Sequence, residues 1–225
     1  ESESFKTILT TDFKVRVDPL FFTFDNKNLY VASNRNRDKS AIYSFDITET
    51  QEKELIFEND QVDVSGLMYS KKRKVLTGVS YTVAKREIFF FDDWRKDIQN
   101  KLERKFPGYE VGITSFSKDE KNAIVVTYSD KSRGTYYSYD VEKNELNELA
   151  KISPWLNEDH MAEMKPITYT SRDGLTIPGY LTLPVGSGGK NLPFVVHPHG
   201  GPWARDSWGY NSEVQFLANR GYAIF

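Results

Sequence analysis

The chain has 225 residues, with 30 basic and 32 acidic side chains and a formal net charge of −2. This balance argues against a nucleic-acid-binding protein, because affinity for phosphates comes mainly from clustered Lys and Arg. Hydrophobic residues make up 39% and charged residues 28%, which is typical of a folded chain with one large or two modest domains. Cysteine is absent, which excludes disulfides and cysteine-ligated metals but does not distinguish the cytoplasm from the periplasm.

The two ends of the sequence suggest that it is part of a longer protein. The chain starts without Met and stops in the apolar run Gly221–Phe225, which predicts a buried strand. We therefore expect further parts of the same protein before and after these residues. No stretch approaches the roughly 20 consecutive apolar residues that cross a bilayer, so we expect no membrane span.

An aromatic-aspartate signature occurs three times: Tyr43–Asp46, Phe89–Asp92 and Tyr137–Asp140. Its third residue recurs after 46 and then 48 positions: Phe45, Phe91 and Tyr139. Two short strands, one on each side of a charged or polar turn, are predicted before each copy. A more polar fourth strand is predicted after each copy: KELIFEN, NKLERKF and NELNELA.

Four short strands in roughly 45 residues are typical of a β-propeller blade, whose sheet buries its faces against neighbouring blades. An ordinary β-sandwich with recurring turns is the alternative. Closed propellers need about four to eight blades, so three would form only part of a ring. We therefore predict a mostly β fold in which residues 1–151 form about three blades of a β-propeller.

Residues 152–165 break the repeat and are predicted to form a linker. After them, the alternating pattern of Pro166–Pro184 predicts a β-hairpin that turns at Ser171–Gly174. The remaining residues, 166–225, are predicted to begin an α/β domain.

A strand, a loop, a helix and a second strand in succession indicate the α/β domain. Phe194–Val196 predicts a short apolar strand, and Asn211–Gly221 predicts a helix. Ser212 is expected to cap the start of this helix, and Gly221 to end it in the left-handed conformation.

The loop between the strand and the helix begins with His197–Pro202, which has the sequence HPHGGP. In α/β units, functional groups gather at the carboxyl ends of the strands. The adjacent Gly200 and Gly201 let backbone N–H groups approach a ligand without an intervening Cβ, as an oxyanion hole requires.

The string HPHGGPWARDSWGYNSEVQFLANRGYAIF, reached through SRDGLTIPGYLTLP, resembles the start of the catalytic domain of the prolyl oligopeptidase family of serine peptidases. The motifs match over about Ile167–Phe225, and the likeness before them is architectural. The resemblance implies a β-propeller followed by an α/β-hydrolase domain, with a peptide as substrate. It also implies that the backbone N–H of Gly201 helps to hold the oxyanion, while Gly200 and His199 shape the loop.

The sequence departs from the family in one important respect, because it contains no Gly-x-Ser-x-Gly motif. The order of residues in the family places the nucleophile, Asp and His after the strand that begins near Tyr222. We therefore expect no member of the catalytic triad in this chain, and no activity from the chain alone. The alternative is a propeller-based binding module with a vestigial hydrolase segment.

The remaining candidate residues are three histidines and one charged pair. His197 and His199 could chelate a metal, but neither cysteine nor a carboxylate stands at a matching spacing, so neither a metal nor another cofactor is expected. His160 is predicted to be solvated rather than a catalytic base, since no nucleophile motif accompanies it. Arg205 and Asp206 could pair with each other, anchor the loop or remain solvated.

Overall fold

The computed structural model describes residues 4–225. The chain divides into two compact units, one ending at Arg95 and one formed by Lys96–Phe225. Strands far outnumber helices in both units, which confirms the predicted mostly β fold class. No helix in the described part of the chain is long and apolar enough to cross a membrane.

The first sheet contains four antiparallel strands in sequence order: β1 (Val17–Phe22), β2 (Leu29–Ser33), β3 (Ala41–Asp46) and β4 (Gln51–Phe57). Its buried side chains come mainly from the two central strands. Ala32 and Ile42 pack in one cluster with Val64 and Val79 of the next sheet. β-Branched residues suit this environment because they fit well on a pleated surface.

The second sheet has only three strands: β5 (Val64–Ser70), β6 (Val75–Thr82) and β7 (Arg86–Phe90). The predicted fourth strand NKLERKF is wrong, because that segment lies in helix α1 (Asp93–Glu103) and the turn after it. Ile98 and Leu102 are four residues apart and both buried, so the apolar residues follow the helical period here.

The third sheet is again a four-stranded antiparallel meander: β8 (Glu110–Phe116), β9 (Asn122–Tyr128), β10 (Thr135–Asp140) and β11 (Glu145–Lys151). In β9, Ala123, Val125 and Thr127 are buried and alternate with more exposed residues. This period of two is the pattern that predicted the strand.

The aromatic position of the signature is equivalent in the first and third sheets. Phe45 and Tyr139 lie in the third strand of their sheets and are only 3% and 1% exposed. Phe91 follows β7 directly and still donates its N–H to the carbonyl of Thr77, but its side chain is 39% exposed. The predicted four-stranded pattern therefore holds in the first and third sheets and only in part in the second copy, and closure into a propeller ring stays a prediction.

The aspartate of the signature stabilises the backbone that follows it, which is a turn after Asp46 and Asp140 and the start of α1 after Asp92. Asp46, Asp92 and Asp140 each accept a hydrogen bond at 2.9 Å from the main-chain N–H three residues later. Backbone hydrogen bonds lower the pKa of Asp46 and Asp140, whereas the hydrogen bond from Arg73 is the main cause of the lowered pKa of Asp92. The repeated aspartate thus has a structural role.

Residues 152–165, the predicted linker, contain a short 3-10 helix at Glu158–His160. Tyr109 donates a hydrogen bond of 2.6 Å to the Glu158 carboxylate, and this bond is the main reason that the pKa of Tyr109 rises to about 12. Further along the segment, Ala162 and Met164 are buried. This part of the chain is therefore held in place by the hydrogen bond at Glu158 and by the burial of Ala162 and Met164.

The fourth sheet has the spatial order β12 (Met164–Thr170), β13 (Thr176–Thr182), β15 (Ala223–Ile224) and β14 (Phe194–Val195). The first two strands pair antiparallel in unbroken register, which confirms the predicted hairpin. Gly174 has a φ of +86° in its turn, a conformation that glycine adopts readily.

Strands β14 and β15 are parallel, and helix α2 (Ser212–Ala218) lies between them in sequence. The predicted strand-loop-helix-strand unit is therefore present. A core cluster supports it: Ala162, Met164, Val214, Ala218 and Ile224. Parallel strands need a crossover connection such as this helix, because the end of one strand and the start of the next lie at opposite ends of the sheet.

Candidate functional site

The HPHGGP loop begins at the carboxyl end of β14. Its first residue, His197, donates its backbone N–H to the carbonyl of Phe225 at 2.7 Å, and Phe225 donates back to Val195 at 2.9 Å. These two bonds continue the pairing of the parallel strands by one step. The start of the loop is therefore fixed to the sheet, whereas residues 199–207 are exposed.

Gly201 is the position in the loop that requires glycine. Its φ of +142° lies in the region that L side chains rarely adopt. A Cβ added there would also lie 3.0 Å from the backbone N of Trp203 and 3.3 Å from Ala204. Gly200 differs, because an added Cβ would meet nothing within 4 Å.

His199 makes a local hydrogen bond within the loop. Its Nδ1 lies 2.7 Å from the carbonyl oxygen of Gly200. Since a carbonyl only accepts, this contact is a hydrogen bond when Nδ1 carries a proton. His199, Gly200 and Gly201 thus lie on one exposed turn.

Two side chains attach the second half of the loop to the sheet. Trp208 donates from Nε1 to the carbonyl of Met164 in β12 at 2.8 Å. Arg205 donates to the main-chain carbonyl of Asp206 at 3.1 Å and to the hydroxyl of Tyr180 in β13 at 3.4 Å. Of the alternatives left open for Arg205, the anchoring role therefore fits best.

The other histidines lie at different places. His197 Nε2 is 3.7 Å from a carboxylate oxygen of Glu213, a contact that becomes an ion pair only when the imidazole is protonated. His160 lies at the end of the 3-10 helix and is exposed. Among residues 4–225, no group of three or more His, Asp or Glu side chains is arranged to hold a metal ion.

The predicted N-cap of α2 was one residue too late. Asn211, not Ser212, accepts the backbone N–H groups of Glu213 and Val214, at 3.0 and 3.1 Å. Both residue types are good caps, and only the extended backbone of Asn211 decides between them. Gly221 has the predicted positive φ, +89°, but it lies three residues after Ala218, the last residue of the helix.

The loop and the sheet can be compared with known proteins. No family model matches the chain. Dipeptidyl aminopeptidase BIII of Pseudoxanthomonas mexicana is 32% identical to this chain over an alignment of 227 residues. The alignment covers 98% of this chain and 32% of that protein. A solved structure from a study of two prolyl endopeptidases has a TM-score of 0.62 at 15% identity, covering 93% of this chain and 30% of its own. These likenesses support the resemblance to the prolyl oligopeptidase family that the sequence motifs indicate.

A crystal structure of puromycin hydrolase has the same likeness, with a TM-score of 0.63 at 15% identity. The match covers 93% of this chain and 32% of the puromycin hydrolase chain. The present chain therefore matches about a third of the length of each of these proteins.

Proposed function

We propose that the protein to which this chain belongs is a serine peptidase that hydrolyses short peptides. The observation that carries the proposal is the 32% identity to a dipeptidyl aminopeptidase over 98% of this chain. That similarity runs through the segment containing the exposed glycine loop, which would form one part of the site.

Within this site, the backbone N–H of Gly201 would be one donor of the oxyanion hole. Attack on a peptide carbonyl leaves a negative charge on its oxygen, and a preorganised N–H group stabilises that charge most in the transition state. Gly201 supports this role because it carries no Cβ and follows the end of a parallel strand. Gly200 and His199 would shape the loop, and neither would transfer a proton.

The nucleophile and the base would come from residues outside these 225. The printed sequence has no Gly-x-Ser-x-Gly, and an oxyanion donor without a nucleophile has nothing to stabilise. We therefore expect the 225-residue chain to show no amidase or esterase turnover above background.

The proposed domain organisation assigns residues 1–151 to a partial β-propeller, 152–165 to a linker and 166–225 to the beginning of the hydrolase domain. The two four-stranded meanders support the propeller assignment, since blades have this form. In the whole protein the propeller would restrict access to the site, which would favour short peptides over folded proteins.

The test compares the full-length protein with the 225-residue chain on dipeptide arylamides and a serine-directed fluorophosphonate. We expect turnover and labelling of one serine in the full-length protein, and neither in the 225-residue chain. Turnover by the short chain would show that it contains a nucleophile. A full-length protein that binds peptides without turnover or labelling would favour the binding-module alternative.

A further inference from the structure

A buried hydrogen-bond network connects the third sheet with helix α2 inside the second unit. Its two polar side chains are Asp130, in the turn between β9 and β10, and Gln215, in the second turn of α2. They are 6% and 5% exposed. Buried polar groups are costly unless they are hydrogen-bonded, so their partners define their role.

The amide of Gln215 uses both donor hydrogens and its acceptor. Nε2 donates to the carbonyl of Asp130 at 2.9 Å and to that of Ala162 at 2.8 Å. Oε1 accepts the N–H of Ala162 at 2.8 Å. Gln215 therefore both donates to and accepts from the backbone of Ala162, as a neighbouring strand would. A Glu side chain of the same shape would instead point an oxygen at the two carbonyls.

Asp130 connects the network to the glycine loop through the main chain of Met164. A carboxylate oxygen of Asp130 accepts the N–H of Met164 at 2.7 Å. The carbonyl of Met164 accepts in turn from Nε1 of Trp208 at 2.8 Å. Trp208 lies in the loop seven residues after Gly201 and packs against the core cluster around α2.

The loop is thus supported at each end by a different element. Its start is fixed to β15 through His197 and Phe225. Its end is held by Trp208 and by the beginning of α2. Trp208 connects to Asp130 of the third sheet through Met164, and α2 connects to it through Gln215. Hydrogen bonds therefore link the end of the loop to the third sheet.

We propose that Asp130 and Gln215 are positioning residues that hold the glycine loop, and with it the N–H of Gly201, in its reactive geometry. This inference rests on the proposed function, because the position of the N–H matters only if the loop binds an oxyanion. It gives the third sheet a part in catalysis that goes beyond restricting access. Small displacements of an oriented group are enough to slow a reaction strongly.

Four variants of the full-length protein test the inference. Gln215→Glu keeps the shape and replaces two donors by an acceptor. Asp130→Ala removes the acceptor for Met164, whereas Asp130→Asn retains an amide oxygen that can accept the same N–H. Gln61→Glu is the matched control, because it makes the same chemical change at an exposed site in the other unit.

Activity is measured per active site titrated with fluorophosphonate, so that unfolded molecules do not count. We expect Gln215→Glu and Asp130→Ala to lower kcat about 10-fold with less than a two-fold change in KM. Asp130→Asn and Gln61→Glu should remain within three-fold of the wild type. If kcat per titrated site is unchanged in Gln215→Glu and Asp130→Ala, the network is only structural and the inference is wrong.

Hydrogen exchange provides a readout that does not require activity. In Gln215→Glu we expect faster exchange not only at Ala162 but also at Ala204, whose N–H donates to Pro202 within the loop. Unchanged exchange in the loop would overturn the inference. If the wild-type protein shows no turnover, the proposed function fails, and the exchange data alone decide whether the two residues hold the loop.

A milder variant protects the test against loss of folding. Trp208→Phe keeps an aromatic ring in the core cluster and removes only the N–H donor to Met164. We expect about a three-fold lower kcat and faster exchange at Ala204. Wild-type values for both would contradict the inference even if Gln215→Glu does not fold.

Discussion

The buried Asp130–Gln215 network and the exposed HPHGGP loop lie in the same unit but use their polar groups in opposite ways. In the network, the Gln215 amide has its donors and acceptor satisfied inside the protein. In the loop, residues 199–207 are exposed, so their polar groups can meet a ligand. Groups already paired inside the protein cannot bind substrate. The comparison therefore indicates that the network supports the loop and that the loop contacts the substrate.

The largest effect should come from moving the backbone of the loop. Gly201→Val in the full-length protein places a branched side chain at a φ of +142°, with its Cβ 3.0 Å from the N of Trp203. We expect turnover to fall roughly 10²- to 10³-fold, about 3 to 4 kcal/mol, with a much smaller change in KM. Steady-state kinetics on a dipeptide arylamide measure both.

The control for this variant is Gly188→Ala, because a Cβ at Gly188 meets nothing within 4 Å and lies in another loop. It should leave turnover unchanged. If Gly201→Val folds and keeps wild-type turnover, the oxyanion role of Gly201 has to be abandoned.

The next largest effect should be a loss of stability, caused by a change in the buried Asp130–Gln215 network. Gln215→Leu leaves the buried carbonyls of Asp130 and Ala162 without their donor, and the N–H of Ala162 without its acceptor. We expect the free energy of unfolding to fall by about 2 to 3 kcal/mol in urea denaturation. Gln61→Leu, at an exposed position, should stay within about 0.5 kcal/mol of the wild type. Equal losses in the two variants would show that the network adds no stability.

The same two regions show what a sequence can and cannot predict. The loop was predictable because its signals are local: an apolar strand, two glycines and a capped helix follow one another within about 30 residues. Asp130 and Gln215 are 85 residues apart, and neither lies in a local pattern that marks it. Their role depends on a tertiary contact, so only the folded chain could reveal it.

The sheets give a similar lesson. The turns and alternating strands of the first and third sheets were predicted because each strand carries its own period of two. The second copy misled the prediction at NKLERKF, where Leu102 also fits a helix with Ile98. A short segment can match both periods, and burial of Ile98 and Leu102 on one side of α1 decided the outcome.

A smaller effect should separate the side chains of the loop from its backbone. His199→Ala removes only the local contact of Nδ1 with the carbonyl of Gly200, which is exposed to water. We expect kcat on the dipeptide arylamide to change less than three-fold, under about 1 kcal/mol. Complete loss of activity would instead make His199 a direct contact for the substrate or the intermediate.

The smallest effect should come from an exposed hydrogen bond between Tyr109 and the predicted linker, residues 152–165. Tyr109 donates to the Glu158 carboxylate at 2.6 Å, and its pKa of about 12 lies above the usual value of 10.0. The folded state therefore holds this proton more tightly than the unfolded state does. The contribution to stability is complete below about pH 10 and disappears as the pH rises through about 12.

Because Tyr109 is 36% exposed, water screens this bond, and Tyr109→Phe should lower the free energy of unfolding by only a few tenths of a kcal/mol at pH 7. The difference from the wild type should shrink between pH 10 and pH 12, as measured by urea denaturation across that range. Tyr136→Phe, at a tyrosine that is 37% exposed, is the control and should show no such trend. A loss at pH 7 as large as that of Gln215→Leu would contradict the comparison, since burial would then not explain why one set of hydrogen bonds matters more than another.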